Sequence, residues 1–233
     1  MAEQTPNILI LTTSHKQLGD TERVTGSWLE ELTTPYYAFV DAGATVTVAS
    51  IQGGAVPIDP ESQAEAAEKP PSVKRFLEDE AVQQAITSPP ALEDIDANDY
   101  DAIFLPGGHG TMWDLPNNTV LSNVVSQTLA DGRVVAAVCH GPAGLVSAVT
   151  KDGEPVVKGR QVATFTDSEE SAVGLMGTVP FLLESKLREL GAKICKVWDF
   201  EGYAIADENL ITGQNPASSE QVAQLVLNKV GAK

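Results

Sequence analysis

The chain has 233 residues, enough to bury a sizeable core in one α/β domain. Its 32 acidic against 15 basic residues leave a net charge of −17 at pH 7, which excludes an easy fit to nucleic-acid phosphates or anionic membranes and suits a surface charged for solubility. The first residues carry no basic leader and the apolar run 8–11 is too short for a signal peptide or a membrane span; the expected location is cytoplasmic, and the two cysteines are expected as thiols.

In chain order, NILILTT (7–13) reads as a strand apolar on both faces, the pattern of a buried parallel strand. A helix is predicted over 25–43, interrupted or restarted near Pro35, and TVTVAS (45–50) is a second strand. Residues 51–72 are rich in Gly and Pro and read as loop, and 73–86 have helical spacing. The stretch 51–90 is therefore an excursion from a single domain spanning 1–233. DAIFLPGG (101–108) is a strand ending at Gly107 and Gly108; 118–132 is a helix with a glycine stop. RVVAAVCHG (133–141) is the next strand, followed by a helix over 141–149 with Pro142 in its first turn. A hairpin with a strand is predicted over 151–167, an amphipathic helix over 179–192, and short strands at 193–198, 203–207 and 209–213. The terminal helix, 215–231, has Asn215 to cap it and Pro216 to open it. Strands separated by helices imply a mostly parallel sheet covered on both faces, with ligands at the carboxyl ends of the strands. The loops after Leu105 and Val138 meet there.

VVAAVCHGPAGL (134–145) carries the chemistry. Cys139 has small residues two before and two after it, the pattern of a strand–turn–helix elbow that lifts a nucleophile above the sheet edge. A helix N-terminus behind the sulfur would favour thiolate near neutral pH. An oxyanion needs N–H donors: the His140 amide is one candidate and Gly108, free of a side chain, the other. Cys195 lacks this context and reads as packing. His109 and His15 lie at the carboxyl edge, His109 as a substrate contact. No local H-x-x-x-H or C-x-x-C spacing marks a metal site. Trp28, Trp113 and Phe165 could line a pocket or simply pack.

LPGGHG, then VVAAVCHGPAGL, FTDSEE and NLITGQNPASS together resemble the DJ-1/PfpI superfamily, and within it the Hsp31-like glutathione-independent glyoxalases (glyoxalase III). The resemblance runs from residue 7 to the last helix. It implies a flavodoxin-like three-layer α/β sandwich with a cysteine nucleophile elbow. It also implies a site of Cys139, His140 and an acid matching Glu170, with Glu169 the alternative. A first-helix glutamate beside the thiol would be Glu31, with Glu30 adjacent; a carboxyl buried there tends to be protonated. The implied reaction is methylglyoxal to lactate without glutathione or cofactor, His140 moving the proton between the two carbons of a Cys139 hemithioacetal. A small dicarbonyl substrate and a homodimer come with the resemblance. A cysteine-dependent amidase, peptidase or deglycase uses the same parts, and a stress-response holding chaperone or oxidant sensor is the reading from another class.

Overall fold

The computed structural model describes residues 5–63 and 70–231. The strands are too apolar to leave either face in water, so helices cover both. The sheet has six strands in the order β2-β1-β3-β4-β8-β7. In chain order the elements are β1 (Asn7–Thr12), α1 (Leu29–Asp41), β2 (Thr45–Ser50), α2 (Pro71–Glu78), α3 (Glu80–Thr87), β3 (Ala102–Leu105), α4 (Thr111–Asp114), α5 (Thr119–Ala130), β4 (Val134–Val138), β5 (Gln161–Val162), α6 (Asp167–Ala172), α7 (Leu183–Glu189), β6 (Lys193–Ile194), β7 (Ala204–Asp207), β8 (Leu210–Gly213) and α8 (Ser219–Val230). Neighbouring strands of the sheet run parallel except β7, which pairs antiparallel with β8. β5 and β6 form a separate two-stranded parallel ladder.

Alternate residues of each strand enter different cores. Ile8, Ile10, Phe104, Ala136 and Val138 pack with α1 and α8 through Leu32, Phe39, Val222 and Val226. Leu9, Leu11, Ile103, Leu105, Val135 and Ala137 pack with α5 and α7 through Leu121, Val125, Leu183 and Leu187. This is the α/β three-layer sandwich with a mostly parallel sheet that the alternating elements imply. No helix among the described residues is long and apolar enough to cross a membrane.

Several boundaries differ from expectation. Helix α1 runs unbroken through Pro35; its apolar face, with Leu29, Leu32 and Phe39 fully buried, holds it where propensity alone would break it. The helix expected over 73–86 is two helices, because Asp79 ends α2 and caps α3 by accepting the Val82 N–H at 3.2 Å. Part of the predicted 51–72 loop, residues 64–69, lies outside the described residues. The expected helix over 141–149 is only a five-residue 3-10 turn, Gly141–Leu145. The 151–167 hairpin reduces to a bridge between Val149 and Pro155, and its strand β5 pairs elsewhere. The 179–192 helix starts only at Leu183.

Candidate active site

The carboxyl ends of β3 and β4 place two turns side by side. In the second, Cys139 sits at φ +60, a left-handed conformation that a side chain occupies only under constraint. The constraint is visible. The Cys139 N–H donates to Gly213 O at 3.0 Å, and its carbonyl accepts from Phe165 N–H at 2.9 Å and Thr164 Oγ1 at 3.0 Å. Gly141 lets the chain turn away at once, since a Cβ there would stand 2.1 Å from Leu105 O. The residue is 4 % exposed yet lines a cleft of about 450 Å³, together with Gly108, His109, His140 and Phe165.

One carboxyl meets the sulfur and a second stands behind the neighbouring imidazole. From α1, the side chain of Glu31 is fully buried. Its Oε2 accepts the Gly107 N–H at 2.7 Å. Its Oε1 has no nitrogen or oxygen partner among the described residues and faces the Cys139 thiol. Burial pushes Glu31 up to about 8, against the opposing pull of the thiol and the Gly107 amide. Glu31 therefore carries its proton at neutral pH. Gly107 must be glycine here: a Cβ would lie 2.7 Å from Glu31 Oε2, His140 N and Val138 O alike.

On the other side, His140 Nδ1 lies 3.3 Å from Cys139 Sγ, and His140 Nε2 lies 2.7 Å from Glu170 Oε2. Burial, then the nearby His109, bring the His140 imidazole down to about 4 against the pull of Glu170. Burial alone would raise Glu170, but hydrogen bonds from His109 and His140 outweigh it and hold the carboxyl at about 2. The carboxylate accepts only, so His140 Nε2 carries the hydrogen and Nδ1 presents its lone pair to the sulfur. His109 Nε2 reaches the other oxygen, Glu170 Oε1, at 2.9 Å. The two imidazole rings lie 4.2 Å apart. The capping box of α6, with Thr166 as N-cap and Glu169 as its partner, sets the pitch at which Glu170 leaves the helix.

One expectation needs correcting. The turn after Cys139 is a five-residue 3-10 turn, not the helix expected to favour a thiolate. Burial pushes the thiol well above its ordinary range, with Glu31 and Glu169 adding to the rise and the His140 backbone N–H opposing it.

The other sequence candidates separate cleanly. Glu169 is buried but turned away from the imidazoles; it takes hydrogen bonds from Thr166, Phe200, Gln214 and Asn215. Glu30 lies half-buried in a surface groove between α1 and α8. Gly108, at φ +101, lines the cleft and its N–H has no partner among the described residues, as an oxyanion donor requires. Trp28 and Phe165 line the cleft. Trp113 instead stacks on His15 at 5.2 Å, away from the thiol. Cys195 is a free thiol at the edge of β6. Sequence reasoning missed Leu18, Arg23, Val173, Leu175 and Phe200 in the cleft wall; no motif marks them. It also found no metal spacing, whereas His109, His140 and Glu170 bring ligand atoms within 4.8 Å of one another. These come from the turn after β3, the elbow after β4 and helix α6, so no local spacing could reveal them. The Nε2 atoms of both imidazoles and both oxygens of Glu170 are already hydrogen-bonded to one another.

A buried cysteine on a strained elbow, with an imidazole and two carboxyls, on a doubly covered parallel sheet defines a cysteine-centred α/β enzyme scaffold. Residues 25–229 match the DJ-1/PfpI family, and the chain belongs to it. Over 139 residues it is 37 % identical to the glutathione-independent glyoxalase HSP31 of Saccharomyces cerevisiae, an alignment covering 56 % of this chain and 58 % of the yeast protein. The match thus spans less than two thirds of that relative. Among solved structures, the 24 kDa Rapid Encystment Protein of Francisella tularensis superposes with TM-score 0.93 at 38 % identity, covering 97 % of this chain and 99 % of that one. Glyoxalase III of Candida albicans superposes with TM-score 0.87 at 27 % identity, covering 96 % and 97 %.

Proposed function

We propose that the chain converts methylglyoxal and related 2-oxoaldehydes to 2-hydroxy acids without glutathione. The observation that carries this reading is the line from sulfur to imidazole to carboxylate, at 3.3 and 2.7 Å, opening on a cleft. Relatives named as glyoxalases supply the substrate class.

The substrate aldehyde enters beside Cys139. As sulfur attacks C1, the thiol proton passes to His140 Nδ1, and Glu170 stabilises the imidazolium that forms. The new oxyanion is met by the N–H groups of Gly108 and His140. Protonated Glu31 is a hydrogen-bond donor beside the sulfur and adds no negative charge against the attack. A proton then moves from C1 to C2 within the imidazole cluster, leaving a thioester of the 2-hydroxy acid. Water attacks the thioester, the C1–S bond breaks, and the sulfur regains its proton.

The test is purified protein with methylglyoxal and no added thiol, read as lactate. The native chain is expected to form lactate and Cys139→Ala to form none. Equal lactate from both, or none from the native chain, rejects the reading; cleavage of amides or esters in its place would point to a hydrolase.

A further inference from the structure

The position of His109 asks for a role that the thiol chemistry does not use. Glu170 is shared between two imidazoles, one on each oxygen, and both present Nε2 to it. An ionised carboxylate can only accept, so each Nε2 carries a hydrogen. Each neutral ring therefore has its lone pair on Nδ1. At His140 that atom is spoken for, 3.3 Å from the sulfur. At His109 it has no partner among the described residues, and the ring, 12 % exposed, lines the same cleft as Cys139.

Charge explains why two rings serve better than one. After the sulfur attacks, His140 holds hydrogens on both nitrogens and cannot take another. Its acidic Nδ1–H is suited instead to protonating the C2 carbonyl oxygen. That leaves the C1 hydrogen to a different base. With the rings 4.2 Å apart, two simultaneous cations are disfavoured. If one ring gives a proton as the other takes one, a single positive charge stays beside Glu170 throughout.

Building on the reaction proposed above, we infer that His109 is the base that takes the C1 hydrogen and returns it to C2, while His140 acts as acid at the C2 oxygen. The step balances. In the hemithioacetal, C1 bears sulfur, hydrogen and an oxyanion, and C2 is a carbonyl. His109 Nδ1 removes the C1 hydrogen as a proton. The C–H pair becomes the C1–C2 double bond, and the C2 oxygen takes the proton from His140. The C1 oxyanion then closes to a carbonyl, and the double-bond pair takes the proton from His109 at C2. C1 is oxidised to the thioester level and C2 is reduced to the alcohol, with no external oxidant or reductant.

The test compares native chain, His109→Gln and His109→Ala on methylglyoxal and on methylglyoxal deuterated at C1. Gln can still donate to Glu170 Oε1 but has no basic nitrogen. Both variants are expected to lose about 100-fold or more in kcat, with an isotope effect on kcat larger than the native one. Alkylation of Cys139 by iodoacetamide, which reads the thiol with the His140–Glu170 pair behind it and confirms a folded site, is expected to stay within about twofold of native in His109→Gln, which keeps a donor to Glu170. Native-like kcat in His109→Gln overturns the inference, because donation to Glu170 would then be all that His109 supplies. So does a loss matched by an equal fall in alkylation rate, which means that His109 only positions the other groups. Both results leave the proposed function standing if the native chain forms lactate; a native chain that forms none removes the function and this step together.

Discussion

Glu31 faces the Cys139 sulfur and Glu170 backs the imidazole beside it, and the two environments drive the same side chain to opposite states. Both are buried. Glu31, from α1, meets one amide and a thiol and is pushed up to about 8. Glu170, from α6, meets two imidazoles and is held at about 2. Burial alone would raise both, so what separates them is the supply of charged or chargeable donors. Pairs of carboxyls pushed apart in this way divide acid from base duties. The α1 side keeps a proton near the sulfur; the α6 side keeps a charge behind the imidazole.

The most damaging way to break the contrast is to neutralise the α6 side. Glu170→Gln keeps volume but leaves one acceptor for two imidazole N–H donors and removes the charge that stabilises the His140 imidazolium. It is expected to lower kcat/KM for methylglyoxal by about 10³- to 10⁴-fold, the scale of neutralising the acid in a nucleophile–histidine–acid triad. Cys139 alkylation should slow with it, because the thiol then lacks an effective base. A loss under about tenfold would mean that Glu170 serves only to orient the rings.

Neutralising the α1 side is expected to do far less to activity and to act on stability in the opposite sense. Glu31→Gln replaces a carboxyl that is already uncharged at neutral pH, so kcat at pH 7 is expected to fall by about tenfold or less. The stability consequence follows from the raised folded-state pKa. In the unfolded chain the carboxyl releases its proton near 4.5; in the folded chain it holds it to about 8. Between those values the unfolded state binds fewer protons, so native stability falls as pH rises through that window. Glu170 has the opposite sign: its contribution is present above 4.5 and lost as pH falls toward 2. Glu31→Gln should therefore gain stability relative to native at pH 8 and show little difference at pH 4.5, read by urea unfolding at both. An equal change at the two pH values would show that the protonation of Glu31 does not differ between folded and unfolded chain.

The same contrast shows how far the sequence reaches. The parallel sheet was legible because its strands are apolar on both faces, and the elbow because Ala137, Cys139 and Gly141 leave so few alternatives. Glu31 and Glu170 sit at the numbers that the family resemblance picks out, and the structure turns Glu30 and Glu169 elsewhere. Helical spacing alone could not separate the neighbours, because either acid of each pair could face inward. The surroundings of the sulfur were less legible. The expectation of a resting thiolate assumed an α-helix behind Cys139, whereas Gly141, Pro142 and Gly144 give only a 3-10 turn, and no local pattern reports how thoroughly the thiol is buried. The cleft wall of Val173, Leu175 and Phe200 was hidden too, because it forms only when α6 and the segment before β7 meet over the elbow.

The mildest perturbation acts on the scaffold beneath Glu170 and asks whether the α6 side is rigid for its own sake. Thr166 Oγ1 accepts the Glu169 N–H at 3.1 Å, while the Thr166 N–H and Oγ1 both donate to Glu169 Oε2 at 2.9 Å. Glu169 Oε1 in turn takes Phe200 N–H, Gln214 Nε2 and Asn215 Nδ2. A single buried carboxylate thus ties the start of α6 to the segments before β7 and α8. Thr166→Ala removes the cap hydroxyl but leaves the backbone donor to Glu169, so it is expected to lose about 1 kcal/mol of stability in urea unfolding. Thr166→Ser keeps the hydroxyl and should stay within a few tenths of a kcal/mol of native. Because Glu170 is the next residue along the helix, the Ala variant is also expected to lose a small part of kcat, far less than Glu170→Gln. If Thr166→Ala matched the Glu170→Gln loss in kcat with its stability nearly intact, the cap would be holding the carboxylate in register for catalysis, and the contrast between the two glutamates would rest on placement more than on charge.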